Sequence, residues 1–154
     1  MSIEDKLAEL GLTLPKPAAP VAAYVPVVIS GGMAYVSGQV SMKDGHLIKG
    51  RLGETMTPEE GFAAAQACGL MIVAQLKAAL GGDLSRVEKI VKLGAFVSST
   101  ADFVDQPKVA NGASELMVAL FGEAGRHARS AVGVPVLPLG VAVEIDAIVA
   151  VRAA

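Results

Sequence analysis

The last part of the chain, residues 126–151, reads RHARSAVGVPVLPLGVAVEIDAIVAV. Its apolar residues are largely β-branched, which favours extended backbone, and they fall into two runs. The pattern therefore predicts two strands, Ser130–Leu137 and Val141–Val151. The fold then depends on what precedes these two strands and packs on them.

A helix start lies near the middle of the chain, at residues 57–60, TPEE. Thr57 can act as the N-cap, Pro58 suits the first helical position, and Glu60 completes a capping box. A second helix is predicted from about Pro107 to Phe121. Apolar or small residues recur on one face of the first helix until a Gly-Gly pair stops it: Phe62, Gly69, Ile72, Val73, Leu76 and Leu80.

The remaining elements are short. Gly31-Gly32 is a hairpin signal between two predicted strands. The order of strands, helix, strand, helix and strands predicts an α+β sandwich, in which one mixed sheet carries two helices on one face. The predicted short elements are the strands Val25–Ser30, Met33–Ser37, His46–Lys49 and Ile90–Val97, and one helical turn within Leu84–Lys89.

The chain is predicted to be a single domain over residues 1–154. Its first 20 residues form a short helix, Ser2–Leu10, and an extended connector, Pro15–Pro20. Apolar residues make up 53% of the chain and charged residues only 18%, too few to cover the surface of a small domain. Contact between copies of the chain would bury the excess apolar surface, so a homo-oligomer is predicted.

Charge and cysteine content limit the partners and the compartment. A net charge of −2 lacks the excess of positive charge that is typical of nucleic-acid-binding domains. A single cysteine and an acidic amino terminus predict a reducing compartment, the cytoplasm, without a secretory signal. Residues 17–42 carry no charge over a length that could span a bilayer, but prolines and the Gly-Gly pair interrupt them, so no membrane segment is predicted.

The sequence lacks the residue sets of several common catalytic and cofactor-binding sites. The two histidines, His46 and His127, lie far apart along the chain, which argues against zinc and against a catalytic triad. Cys68 lies within the first helix among apolar neighbours and is interpreted as a small core residue. Neither a P-loop nor a dinucleotide fingerprint is present in the sequence.

Two charged residues near the end of the chain remain as candidates. Arg129 lies where a loop enters a strand, and its planar fork suits a carboxylate, either that of a ligand or that of Glu144 in an internal salt bridge. Glu144 interrupts an apolar strand and shares one predicted face with Ala142, Asp146 and Ile148. Solvent exposure and a role in a cleft, where burial would raise its pKa, both stay open for Glu144.

The segments Ala128–Val132, Leu137-Pro138 and Val143–Ala147 resemble the signature of the YjgF/RidA family, the enamine/imine deaminases also called the L-PSP endoribonuclease family. Weaker similarities occur at Tyr24, at Ser37-Gly38-Gln39 and at Asn111. The resemblance covers nearly the whole domain. Ala131 departs from it, because cysteine is common in the family at that position. The amino-terminal helix, the residues around Asp105–Lys108 and the basic pair Arg126-His127 also depart from it.

The resemblance implies a chorismate-mutase-like fold assembled as a homotrimer, with ligand sites in clefts between subunits. It implies that Arg129 holds a substrate carboxylate and that Glu144 positions or activates the hydrolytic water. Tyr24, Ser37, Gly38, Asn111 and Ser130 would line the same site.

The implied activity is hydrolysis of 2-aminoacrylate-like enamines and imines to 2-keto acids and ammonia, without metal or cofactor. A non-catalytic sensor of small carboxylates is the main alternative. An endoribonuclease or translation inhibitor is a third interpretation, and the absence of a basic stripe or an aromatic stacking platform counts against it.

Overall fold

A mixed five-stranded sheet dominates the computed structural model, which describes residues 1–20 and 22–154. The strands are β1 Val27–Ser30, β2 Met33–Val40, β3 Met42–Lys43, β4 His46–Leu47, β5 Val87–Ser98, β6 Ala128–Val134 and β7 Val143–Val151, and the helices are α1 Ile3–Glu9, α2 Pro58–Ala79 and α3 Gln106–Phe121. The sheet order is β1-β2-β7-β5-β6, and only the β5-β6 pair is parallel. β3 and β4 form a separate two-stranded ribbon.

The helices α2 and α3 cover one face of this sheet, as predicted, and the core lies between the two layers. Strand β7 shows the division clearly, because its residues alternate between buried and half-buried along its whole length. Its helix-side residues are Val143, Ile145, Ala147, Val149 and Val151, and its other residues are Glu144, Asp146, Ile148 and Ala150. We call the side of the sheet away from α2 and α3 the open face.

Capping boxes explain where two helices begin, and the one at Thr57 and Glu60 was predicted. The Thr57 hydroxyl accepts a hydrogen bond from the backbone N–H of Glu60, and the Glu60 side chain accepts one from the N–H of Thr57. Ser2 and Asp5 make the same reciprocal pair at the start of α1. Each pair satisfies two N–H groups that the first helical turn leaves without partners.

Helix α2 is long and apolar enough to cross a membrane by length and composition alone. In the fold, 61% of its most apolar window is buried, and the helix packs against the sheet and α3. It is therefore the core helix of the domain. Cys68 is buried on this helix, where its thiol donates to the carbonyl of Val143, and burial raises the pKa of the thiol. The interpretation of Cys68 as a core residue is confirmed.

Every predicted strand differs from the structure at one boundary or both, and three of these differences bear on the site. Strand β5 begins at Val87 rather than Ile90, and β7 begins at Val143 rather than Val141. Ala142 therefore precedes the strand and lies in the core, not on the face of Glu144. The third difference matters most, because β6 begins at Ala128 rather than Ser130 and ends at Val134 rather than Leu137. Arg129 thus lies inside a strand and not in the loop before it.

Candidate active site

Arg129 lies on the helix side of the sheet, at its edge. In the β5-β6 pair it aligns with Leu93, which is buried beneath the helices. Aligned residues of neighbouring strands point to the same side of a sheet, so the half-buried Arg129 side chain is directed toward α3. There it lines a groove of about 610 Å³, which we call the Arg129 groove. The groove is lined by Asn111, Ser114, Glu115, Val118, Ala119, Arg126, His127 and Arg129.

Two side chains of α3 orient the guanidinium. Nη1 of Arg129 donates to Oδ1 of Asn111 at 2.8 Å and to the hydroxyl of Ser114 at 3.1 Å. Asn111 and Ser114 lie three residues apart and therefore on one face of the helix. Within the described residues, the Nη2 and Nε edge of Arg129 makes no hydrogen bond, and Arg129 joins no salt bridge. That edge has the fork geometry that suits a carboxylate.

The hydrogen bonds continue from Ser114 to a histidine. The Ser114 hydroxyl lies 2.8 Å from Nε2 of His127, and Nδ1 of His127 lies 2.7 Å from the carbonyl of Gly125. Because a carbonyl only accepts, Nδ1 must carry the proton, and in neutral imidazole Nε2 is then the acceptor. Ser114 consequently accepts from Arg129 and donates to His127.

The environment favours the neutral form of His127. Burial lowers the pKa of the imidazole, and the positive charges of Arg129 and Lys89 lower it further, against the opposing effect of the bond to the Gly125 carbonyl. The ring is therefore available as a proton acceptor at neutral pH. Sequence reasoning missed this pair of side chains, because Ser114 and His127 are separated by 13 residues.

Close backbone contacts made possible by glycine hold the groove together. A Cβ on Gly125 would overlap the carbonyl of Met117 in α3, and a Cβ on Gly112 would overlap the carbonyl of Phe62 in α2. Gly125 thereby brings the turn at residues 122–125 onto α3 and directs His127 toward Ser114. Gly112 sets the depth at which α3, with Asn111 beside it, packs on α2.

Glu144 lies on the open face, away from the Arg129 groove. It aligns with Val40 of β2 and Phe96 of β5 and is half-buried. Its carboxylate packs against Gly38, where a Cβ would overlap it. Burial raises the pKa of Glu144, and the negative charge of Asp146 raises it further. A half-buried carboxyl with a raised pKa is suitable for exchanging protons with water or substrate.

The segment that carries Gly38 is irregular and held by polar contacts. The register of the β2-β7 pair shifts between Val36 and Gln39, which makes a bulge. The Ser37 hydroxyl donates to the carbonyl of Pro26, and the Gln39 side chain donates to the carbonyl of Ser37. Gln75 of α2 in turn donates to the side chain of Gln39. The bulge beside Glu144 is thus fixed from the core.

The predicted site residues therefore fall into two groups within one chain. Arg129 and Asn111 lie in the groove, whereas Gly38 and Glu144 meet on the open face. Arg129 and Glu144 lie on opposite faces, with β5 between their strands and an offset of three residues along it, so their backbones are roughly 14 Å apart. The internal Arg129–Glu144 salt bridge is not formed. Ser37 lies in the bulge next to Gly38.

Two further predicted site residues, Ser130 and Tyr24, join neither group through the described side-chain contacts. Ser130 aligns with Gly94, which itself aligns with Asp146, so Ser130 is on the open face. Tyr24 lies before β1 and is 49% exposed. Over residues 1–20 and 22–154, no group of three or more His, Cys, Asp or Glu side chains is arranged to hold a metal ion.

Comparisons with known proteins agree with this architecture. Residues 4–149 match the model of a family described as "YjgF/chorismate mutase-like, putative endoribonuclease". Protein TCP17 of Trypanosoma cruzi is 53% identical over 149 residues, which cover 96% of this chain and 92% of TCP17. The crystal structure of Atu1372 from Agrobacterium tumefaciens has a TM-score of 0.91 at 47% identity, over 98% of this chain and 92% of that one. The crystal structure of RidA from Psychrobacter sp. PAMC 21119 has a TM-score of 0.54 at 28% identity, over 90% of this chain and 96% of that one.

Proposed function

Because the chain belongs to the YjgF/chorismate mutase-like family, we propose that it is a deaminase that hydrolyses 2-aminoacrylate-like enamines and imines to 2-keto acids and ammonia. The observation that carries the proposal is the Arg129 groove. Asn111 and Ser114 occupy one nitrogen of the guanidinium, and the other edge suits the carboxylate of a small substrate. Such a substrate is already activated and needs only orientation, a proton and water.

In this proposal Glu144 positions and activates the water, but it does so across a subunit interface. Arg129 and Glu144 of one chain face opposite sides of the sheet. A small imino acid cannot reach both side chains around the sheet edge. We therefore assign the complete site to a cleft between subunits, with Arg129 from one subunit and Glu144 from its neighbour.

The open face supports an assembly of this kind. It carries exposed apolar side chains on three strands: Val28 at 50%, Tyr35 at 47% and Val132 at 46% exposure. An exposed apolar surface across one face of a sheet is typical of a protein–protein contact. A closed homotrimer, with the open faces turned toward its centre, would cover these side chains and bring subunit edges together. Light scattering at micromolar concentration measures the oligomeric state. The mass of a monomer would contradict the proposed inter-subunit site.

An ammonia-release assay tests the activity itself. Freshly generated 2-aminoacrylate and several bulkier imines are supplied to the purified protein, and ammonia is measured against the spontaneous rate. Acceleration at substoichiometric protein supports the deaminase. A rate equal to the spontaneous one for every imine would reject it.

Mixing two inactive variants tests the shared site. Arg129→Ala and Glu144→Gln subunits are refolded or co-expressed together, so that some clefts combine the intact Arg129 of one variant with the intact Glu144 of the other. If mixing is random, about a quarter of the clefts regain both side chains, and about that fraction of the activity should return. No recovery in a mixed oligomer would contradict a site built from two subunits.

One observation favours a second candidate, a non-catalytic sensor of small carboxylates. The carboxylate-binding edge of Arg129 is oriented within a single chain and does not depend on Glu144. A sensor would bind 2-keto acids and release no ammonia from any imine. The same assay, paired with a keto-acid titration, separates it from the deaminase.

A further inference from the structure

We propose that Gln39 and Gln75 are positioning residues for Glu144, and that the amino-terminal connector is the outer support of the hydrogen-bond network they form. Both glutamines are buried between α2 and β2, on the opposite side of the sheet from Glu144. They act on the open face only through the backbone of the bulge at Ser37 and Gly38. The inference deepens the proposed function, because it rests on Glu144 as the residue that activates the water.

Two amides in an otherwise apolar core are the starting point. Gln75 is 3% exposed and Gln39 is 6% exposed. Burying an amide is costly unless it is hydrogen-bonded. Nε2 of Gln75, which has two N–H groups, donates to the Ala18 carbonyl at 2.8 Å and to Oε1 of Gln39 at 3.2 Å. Gln75 therefore ties the connector to β2 through the core.

The amide of Gln39 satisfies a carbonyl that the sheet leaves without a donor. The Ser37 N–H donates to the Pro26 carbonyl at 2.9 Å, as in a hydrogen-bonded antiparallel pair. The second bond of such a pair would run from the N–H of residue 26 to the Ser37 carbonyl, but proline has no N–H. Nε2 of Gln39 donates to that carbonyl instead, at 2.9 Å. The side chain thus replaces the missing bond at the bulge.

The Ser37 carbonyl in turn limits where the Glu144 carboxylate lies. This carbonyl and the Cα of Gly38 belong to one planar peptide unit, so holding the carbonyl also holds that Cα. The Glu144 carboxylate packs against Gly38 so closely that a Cβ would overlap it. Gly38 lies in the register shift of the β2-β7 pair and has no aligned partner on β7. Loss of either glutamine amide should therefore let the bulge move and displace the carboxylate.

The groups around Glu144 make its titration a measure of its burial. Its aligned partners on β2 and β5 are apolar, and burial raises the pKa of the Cys68 thiol on α2, which keeps it neutral. Asp146 is the charged group that raises the pKa of Glu144 in addition to burial. Lys92 of β5 acts on Asp146, whose pKa it lowers. A bulge that loosens would hydrate Glu144 and lower its pKa toward the ordinary value.

The kinetic test uses Gln39→Met, Gln75→Met and the matched control Gln66→Met in the full chain. Gln66 is half-buried on the same helix as Gln75 and takes no part in the network. We expect both network variants to lower kcat about tenfold, with KM within about threefold because Arg129 is untouched. The control should keep a normal kcat, and an equal loss there would overturn the inference. A raised KM with a normal kcat would place the glutamines in substrate binding and also overturn it.

A rescue variant tests the link through the Ser37 carbonyl. Pro26→Ala adds the N–H that this carbonyl lacks, so Pro26→Ala/Gln39→Met should recover most of the kcat that Gln39→Met loses. No recovery in a folded double variant would show that the carbonyl is not the link, which overturns the inference. If Gln39→Met melts too early to be assayed, Gln39→Met/Gln75→Met takes its place, because it removes both amides and leaves neither unpaired.

Titration of Glu144 gives a readout that does not depend on activity. NMR follows the isotope-labelled glutamate carboxyls, and Glu144→Gln assigns the signal. The pKa of Glu144 should fall in Gln39→Met and Gln75→Met and stay unchanged in Gln66→Met. An unchanged pKa with a normal kcat in both network variants would overturn the inference and leave the deaminase intact. An unaltered chain that releases no ammonia from any imine would reject the proposed function, and the titration alone would then decide whether the glutamines position Glu144.

Discussion

The Arg129 groove and the open face differ in how far one chain completes them. In the groove, Arg129, Asn111, Ser114 and His127 form a continuous hydrogen-bonded chain that ends on a backbone carbonyl. On the open face, Glu144 and Asp146 lie side by side on a half-buried strand, and burial raises the pKa of both carboxyls. The groove is preorganised for an anion, whereas the open face carries desolvated acids and exposed apolar side chains. In the proposed reaction, one chain would thus supply a complete carboxylate anchor and only part of the reaction centre.

The largest effect on binding and turnover is expected from Arg129→Ala, which removes the anion-binding group of the groove. Removing the guanidinium should abolish detectable keto-acid binding and turnover, since truncating one member of a desolvated charge pair costs about 2–5 kcal/mol of binding. Arg129→Lys should also be badly impaired, because an ammonium cannot reproduce the fork. Ligand titration and melting temperature are measured on the same proteins.

Arg126→Ala is the matched control, since Arg126 lines the same groove but is exposed and paired with Glu123. It should weaken binding far less than Arg129→Ala. An Arg129→Ala protein that melts much earlier yet binds pyruvate normally where folded would identify Arg129 as a structural brace.

The second prediction concerns the open face. Glu144→Gln should lower turnover about 10²–10⁴-fold, the usual loss when a general acid or base is removed, and should leave keto-acid binding nearly unchanged. Steady-state kinetics with a pyruvate titration checks both parts. If Glu144 is only a solvated strand charge, rates stay normal and stability changes by less than about 0.5 kcal/mol.

Much of this architecture could be predicted from the sequence, because local rules govern it. The predicted capping box marked the start of α2, and the alternation over residues 143–151 separated the buried side of β7 from the side of Glu144. The resemblance to the YjgF/RidA family and the mixed sheet with two helices on one face are confirmed.

The division of the site could not be predicted in the same way. Which side Arg129 faces depends on the register of the parallel β5-β6 pair, and that pairing joins residues about 36 positions apart, such as Leu93 and Arg129. Ser114 meets His127 only because Gly125 lets a turn pack directly on α3. Both are tertiary contacts without a local sequence signal. The spacing of the histidines along the chain therefore gives no indication that His127 lies in the site.

A smaller and more local change is expected from Gly38→Ala. The added Cβ would overlap the Glu144 carboxylate, which is the flexible end of a side chain, so the fold should tolerate the change while the carboxylate moves. A displacement of this size should lower turnover about tenfold or more and leave pyruvate binding intact. Gly94→Ala is the control, because its Cβ would displace Asp146 instead. Equal losses of rate in both variants would mean that general distortion of the open face, and not the position of Glu144, sets the rate.

The smallest effect is expected from Asp146→Asn, which keeps the shape of the side chain and removes one of the two causes that raise the pKa of Glu144. The pKa of Glu144 should fall part of the way toward its ordinary value, and the limb of the pH–rate profile that Glu144 controls should move to lower pH.

The same substitution should change how stability depends on pH. The folded state binds the Glu144 proton more tightly than the unfolded chain does, and this sets the direction in which the free energy of unfolding changes with pH. Stability is therefore lost as pH rises above about 4.5, and Asp146→Asn should recover part of that loss at pH 7 but not at pH 4. Because the groups are about half exposed, the gain should stay below about 0.5 kcal/mol. Melting temperatures at the two pH values, with Glu88→Gln as an exposed control on β5, measure it. A destabilised Asp146→Asn protein at pH 7 would indicate that attraction between Asp146 and Lys92 outweighs the repulsion between the two carboxylates.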